Sequence, residues 1–210
     1  MDSLHDSDLK RVTGKKLNIW ETTFAEVRGL DAGSWFSPGF AGEKIPTLEE
    51  VIGVAQDRIK LNIELKFYEH NQRLTEQVVS IIRREDFVDQ CIITSMNYQE
   101  LLKVKELDNR IRTGFIFFEA IGRVFDFEAD LFSIFKKKAT ESFISKTKNR
   151  KKEVHVWGVN TPEAMEHFIY LGVDNIITAY PAKLVSILKR RAEMNDIDRL
   201  KENFMKWLKR

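Results

Sequence analysis

Leu61-Asn62-Ile63-Glu64-Leu65-Lys66 alternates apolar and polar residues without a break. That is the two-residue period of a β-strand with one face turned to a core and one turned away. Leu74, Val78, Val79, Ile81 and Ile82 then recur at helical spacing, so a helix over 72–84 follows the strand. Strands followed by helices continue downstream. Stretches 91–96, 112–118, 129–134, 154–159 and 174–178 read as further strands. Asn97 with Glu100 has the spacing of a capping box for a helix through Leu107, and Thr140 caps a shorter one reaching about Asn149. Pro162 stands at the first position of a helix that Gly172 stops. Upstream, Thr47 and Glu50 form a second capping box, opening a helix whose buried stripe is Leu48, Val51, Ile52 and Ala55.

Strands alternating with helices imply a parallel α/β domain. Six strand-and-helix units lie between residues 61 and 195, preceded by one helix with no strand before it. A closed TIM (β/α)8 barrel has eight such units, so the predicted fold is a barrel lacking its first two strands. A doubly wound sheet could use six strands, but no Gly-x-Gly-x-x-Gly turn follows any of them, which leaves the dinucleotide-binding version without support. Residues 7–45 break the alternation. They include Leu30-Asp31-Ala32-Gly33-Ser34-Trp35-Phe36-Ser37-Pro38-Gly39-Phe40, whose three aromatics argue for a structured insertion over one face of the domain.

A chain of 210 residues, 43% hydrophobic and 31% charged, is long enough to close a substantial core. The net charge of +2 gives no field that would favour nucleic acid. Cys91 is the single cysteine and sits in an apolar run, where a buried, inert thiol is expected rather than a nucleophile. The polar start Met1-Asp2-Ser3-Leu4 does not resemble a signal peptide, and no apolar run approaches the roughly 20 residues that span a bilayer. A cytoplasmic location is therefore expected. Ile197, Leu200, Phe204 and Trp207 follow a helical period in a basic stretch, so 196–210 reads as a basic amphipathic helix after a barrel domain over 1–195. Such a helix either lies on an anionic membrane surface or packs against the outer helices or a neighbouring subunit, and the sequence leaves both open.

Glu64 and Lys66 project to one face together with Asn62, at the carboxyl end of their strand. Barrels of this kind place catalysis at that end, and ionisable groups there are costly unless paired or bound to an ion. An ion pair between the two is the plain structural alternative. Trp157, near the end of its own strand, is either rim packing or a substrate contact. His155 shares its face, while His70 and His167 have no carboxylate or cysteine at metal-ligand spacing. His5-Asp6 by itself is a common dipeptide.

The string His5-Asp6-x-x-Leu9-x-Arg11-x-Thr13-Gly14 is followed by Leu30-Asp31-Ala32-Gly33-Ser34-Trp35-Phe36, Ile45-Pro46-Thr47-Leu48-Glu49-Glu50 and Asn62-Ile63-Glu64-Leu65-Lys66. In order and spacing it resembles the glycerophosphodiester phosphodiesterases. Val154-His155-Val156-Trp157-Gly158-Val159-Asn160 and Gly172-Val173-Asp174-Asn175-Ile176-Ile177-Thr178 look like the last two strands of that family. Among its members the chain looks most like bacterial ones whose catalytic domain follows a membrane-embedded region.

The resemblance implies a TIM barrel of the phospholipase-C-like phosphodiesterase type. It implies hydrolysis of a glycerophosphodiester to glycerol 3-phosphate and an alcohol, with two histidines and a divalent cation, Mg2+ or Ca2+, held by three carboxylates. By position, His5 is the second histidine, Glu64 the third metal ligand, Lys66 the cation on the phosphate, and Trp157 the packing surface for the glycerol. A hard cation with oxygen ligands suits such chemistry, because it neutralises phosphate charge as it shifts in the transition state. The family's first His-Arg pair and its Glu-x-Asp lie upstream of the His-Asp motif, and only four residues precede His5 here. The chain alone is therefore expected to be inactive. A non-catalytic binding or scaffold remnant and a phospholipase-type phosphodiesterase remain as alternatives. Oligomerisation is compatible with the sequence, and the hydrolase reading requires that Glu64, Lys66 and His5 come together in space.

Overall fold

The computed structural model describes residues 4–67, 73–118 and 124–194. Two compact units divide the chain, one over Met1–Thr113 and the other over Gly114–Arg210. The predicted amphipathic helix at 196–210 and the residue His70 fall outside the described residues.

In the first unit, helices α1 (Lys10–Thr13), α2 (Phe24–Gly29) and α3 (Leu48–Ala55) precede strand β1 (Leu61–Leu65). Helix α4 (Leu74–Arg84), strand β2 (Cys91–Ser95) and helix α5 (Tyr98–Leu107) follow. Strands β1 and β2 pair in parallel, with Leu61 opposite Cys91 and Leu65 opposite Ser95. A parallel pair needs a crossover, which α4 supplies by burying Val78, Val79, Ile81 and Ile82 on one side. The capping box read from Thr47 and Glu50 forms in both arms. Glu50 N donates to Thr47 Oγ1 at 3.2 Å, and Thr47 N donates to Glu50 Oε2 at 2.8 Å. Residues 4–47 build a small core of their own around Leu9, Val27 and Ile45, all buried.

The box expected from Asn97 and Glu100 is only half correct. Asn97 Oδ1 accepts from Gln99 N at 3.1 Å, whereas Glu100 Oε2 accepts from Thr75 Oγ1 at 2.5 Å. A buried threonine hydroxyl on the neighbouring helix needs a partner and takes the carboxylate from its local role. Cys91 is buried, and desolvation pushes its thiol up to about 12, as suits an inert side chain.

Strand β3 (Arg112–Phe117) enters the second unit, which continues with β4 (Leu131–Phe135), α6 (Glu141–Lys148), β5 (Glu153–Trp157), α7 (Pro162–Tyr170), β6 (Asn175–Ile177) and α8 (Pro181–Glu193). Its strands pair in parallel and in chain order, β3 with β4, β4 with β5, and β5 with β6. Phe132, Ile134, Val154, Val156 and Met165 are completely buried at its centre. Gly172 ends α7 with a φ of 69°, a left-handed conformation that favours glycine. Among the described residues, no helix is long and apolar enough to cross a membrane.

Candidate functional site

β1 leaves its polar face open, with Asn62 and Glu64 exposed while Leu65 is buried. Beyond the carboxyl ends of β1 and β2 lies a cleft of about 600 Å³, lined by Glu64, Lys66, Phe67, Met96, Asn97 and Tyr98 among others. Polar side-chain contacts link the two strands that lead to it. Thr94 Oγ1 donates to Asn62 Oδ1 at 2.9 Å, and Ser95 Oγ donates to the Leu65 carbonyl at 2.9 Å. Helix α5 begins at this cleft, so its amino-terminal N–H groups and the positive end of its dipole add to an anion-favouring surface.

Lys66 Nζ lies 4.0 Å from Glu64 Oε2 and donates to the backbone carbonyl of His5 at 3.0 Å. The three predicted residues are therefore brought together, across 61 positions of sequence in the case of His5 and Lys66. Glu64 and Lys66 also satisfy the plain ion-pair reading, at the outer limit of such contacts. The imidazole of His5 takes a different direction from its carbonyl. Its side chain is 73% exposed, and Nδ1 contacts Asp6 Oδ1 at 2.8 Å. Asp6 in turn accepts from Arg11 Nε on its other oxygen at 2.6 Å. The hydrogen bond from Arg11, followed by the one from His5, holds the Asp6 carboxyl below its usual range. An ionised Asp6 can only accept, so Nδ1 is the nitrogen that donates to it.

Arg11 had no role in the sequence reading. Besides its bond to Asp6, its guanidinium lies over the Trp35 ring, 5.5 Å from the centroid. Its place in the family-like string His5-Asp6-x-x-Leu9-x-Arg11 was the signal that could have marked it.

Trp157 ends β5 in the second unit. Its ring meets Phe118 edge-on with centroids 5.0 Å apart and lies 4.6 Å from Phe135. The indole Nε1 is buried without a hydrogen-bond partner. His155 is buried on the same strand, with Nε2 at 3.3 Å from Glu153 Oε2. His167 lies on α7 with its ring edge-on to Phe168.

The described residues do not fit a divalent cation. They contain no group of three or more His, Cys, Asp or Glu placed to hold a metal. Glu64 is one carboxylate with an ammonium beside it, while hard cations draw on several oxygen ligands.

The model of the glycerophosphoryl diester phosphodiesterase family matches residues 3–183. The chain is 29% identical over 196 residues to a glycerophosphodiester phosphodiesterase of Caldanaerobacter subterraneus subsp. tengcongensis, covering 89% of this chain and 79% of that one. A solved phosphodiesterase of Oleispira antarctica, in complex with the product sn-glycerol 3-phosphate, superposes with a TM-score of 0.77 at 27% identity. That match covers 89% of this chain and 78% of the other. A glycerophosphodiester phosphodiesterase of Agrobacterium tumefaciens has the same fold, with a TM-score of 0.74 at 19% identity over 87% of this chain and 79% of its own. The fold class is the TIM-barrel type read from the sequence, with six parallel strands among the described residues.

Proposed function

Because this chain belongs to the glycerophosphoryl diester phosphodiesterase family, we propose that the cleft beyond β1 and β2 is the phosphate-holding part of a glycerophosphodiester-hydrolysing site. The domain would span 1–195, with 7–45 as its insertion. Lys66 provides the charge and donor for the phosphodiester oxygens, supported by the amino terminus of α5. His5 Nε2, oriented through Asp6, exchanges the proton that passes from the attacking water to the departing alkoxide. Glu64 shares the strand face with Lys66 as a candidate oxygen ligand, and Trp157 is assigned to the glycerol by its position in the family pattern. A divalent cation would neutralise phosphate charge if held here, and it would require oxygen ligands beyond Glu64.

The observation that carries this reading is the convergence of Lys66 Nζ on Glu64 and the His5 carbonyl at the mouth of the cleft. A second reading, a binding domain of the same fold that does no chemistry, is favoured by the missing group of metal ligands among the described residues. Two measurements test both. An NMR titration with sn-glycerol 3-phosphate is expected to shift amides at the start of α5. Lys66→Ala should weaken that binding roughly 10- to 100-fold, the range for a hydrogen bond to a charged group. Unchanged affinity in the variant would remove the phosphate site. Turnover of glycerophosphocholine by the purified chain with Mg2+ or Ca2+ would refute both the expected inactivity and the second reading.

A further inference from the structure

Residues 34–41 read Ser-Trp-Phe-Ser-Pro-Gly-Phe-Ala, with no charged side chain. Trp35, Phe36 and Phe40 are 51%, 69% and 48% exposed. Their rings touch in sequence, Trp35 to Phe36 with centroids 5.9 Å apart and Phe36 to Phe40 at 5.4 Å, both edge-on. Three large aromatics held together in water form an apolar patch that calls for an occupant.

The loop that carries them is fixed. Asp31 accepts from Gly33 N at 2.9 Å, Ser34 N at 3.0 Å and Ser34 Oγ at 2.6 Å. Its base is closed by Ala32 N donating to the Glu43 carbonyl at 2.8 Å. The chain folds back so tightly that a Cβ on Gly33 would stand 1.9 Å from the Phe40 carbonyl oxygen. Trp35 Nε1 donates to the Ala32 carbonyl at 2.9 Å, so its N–H is satisfied within the loop. The exposed ring can leave water without stranding a donor. Rigidity also removes most of the ordering cost of docking.

We propose that this platform is a docking surface for a lipid–water interface. The exposed part of the three rings is on the order of 300 Å², taking about half of the roughly 150–250 Å² that an aromatic side chain buries. A stable protein–protein interface takes about 800 Å² per partner, so the patch is too small for a lasting dimer. A bilayer needs no matching shape, residues 34–41 carry no charge of their own, and the neighbouring Arg11 guanidinium suits the headgroup level. The Arg11 guanidinium over the Trp35 ring places the docked surface next to the Asp6–His5 pair. The proposal does not depend on the assigned reaction.

The test is flotation of the full chain with vesicles of phosphatidylcholine, alone and mixed with phosphatidylglycerol. Trp35→Ala combined with Phe36→Ala is expected to lower the bound fraction at least tenfold on both, given the apolar area removed. Circular dichroism should show the double variant still folded, with a thermal midpoint lowered only slightly by loss of the Trp35 bond to Ala32. Absence of binding by the parent chain would overturn the proposal. So would binding that the double variant keeps, including binding confined to phosphatidylglycerol, which would assign it to basic segments instead. A change in oligomeric state on gel filtration, with vesicle binding unaltered, would make the patch a contact between copies and overturn it equally.

Discussion

Strands β1 and β4 are both five residues long and both pair in parallel, yet they solve opposite problems. In β4, Leu131, Phe132, Ser133 and Ile134 are all buried, so both faces are covered and the sequence is nearly continuous in apolar residues. In β1, Asn62 and Glu64 are exposed between partly buried Leu61 and Ile63 and buried Leu65, so one face is kept for water and for ions. The first strand gives up packing energy to hold charged groups at its carboxyl end. The second holds none and carries the stability of its unit.

That contrast predicts the largest effect at Phe132, which is completely buried. Its ring lies 5.8 Å from Phe117 and 6.5 Å from Phe143. Phe132→Ala should cost about 3–5 kcal/mol in urea unfolding. Ile63→Ala, on the partly buried face of β1, should cost clearly less. Equal costs would break the comparison.

Acid should separate the two units next. Asp108 follows α5, with its side chain 6% exposed. Arg110 grips it with two bonds, Nε to Oδ1 at 2.9 Å and Nη2 to Oδ2 at 2.7 Å. The Arg110 hydrogen bonds hold its pKa at about 2, below the ordinary 3.8. A folded pKa below the unfolded one means that this stabilisation is complete above about pH 4 and is lost as pH falls through about 2. Thermal midpoints measured from pH 5 to pH 2 should fall through that window. In Asp108→Asn the fall should be shallower, with a lower midpoint at neutral pH.

Helix caps are predicted to be nearly equal between the units, because a cap acts locally. Thr47→Ala in the first unit and Thr140→Ala in the second should each cost about 1 kcal/mol in urea unfolding. Thr47 should be the costlier of the two. Its partner Glu50 is also bound by Arg28, at 2.8 and 2.9 Å, and that network loses its order with the box.

Much of this was legible in the sequence for a physical reason. The period of β1, the Thr47–Glu50 box, Pro162 and Gly172 are all local signals, and local geometry decides them. The six strands followed, whereas the grouping of Glu64, Lys66 and His5 was expected from the family pattern and not from periodicity. Contacts between distant residues left no such trace. Arg28 meets Glu50 across 22 positions and Thr75 captures Glu100 across 25, so neither the reinforced box nor the broken one could be read from spacing. The His5 ring was expected beside Lys66, but Asp6, the adjacent residue, offers its imidazole a nearer partner, and only the carbonyl reaches the lysine.

The smallest effect on stability, and the most informative about β1, is expected at Glu64. Its carboxylate is 37% exposed and 4.0 Å from Lys66 Nζ, a distance at which surface pairs contribute little. Glu64→Gln should change unfolding free energy by no more than about 0.5 kcal/mol. It removes a negative charge beside the place assigned to the phosphate, so binding of sn-glycerol 3-phosphate should strengthen in the same variant. A strand face shaped for packing would respond in stability and not in binding. The opposite pattern, measured on one protein by unfolding and by titration, is what a face reserved for an anion requires.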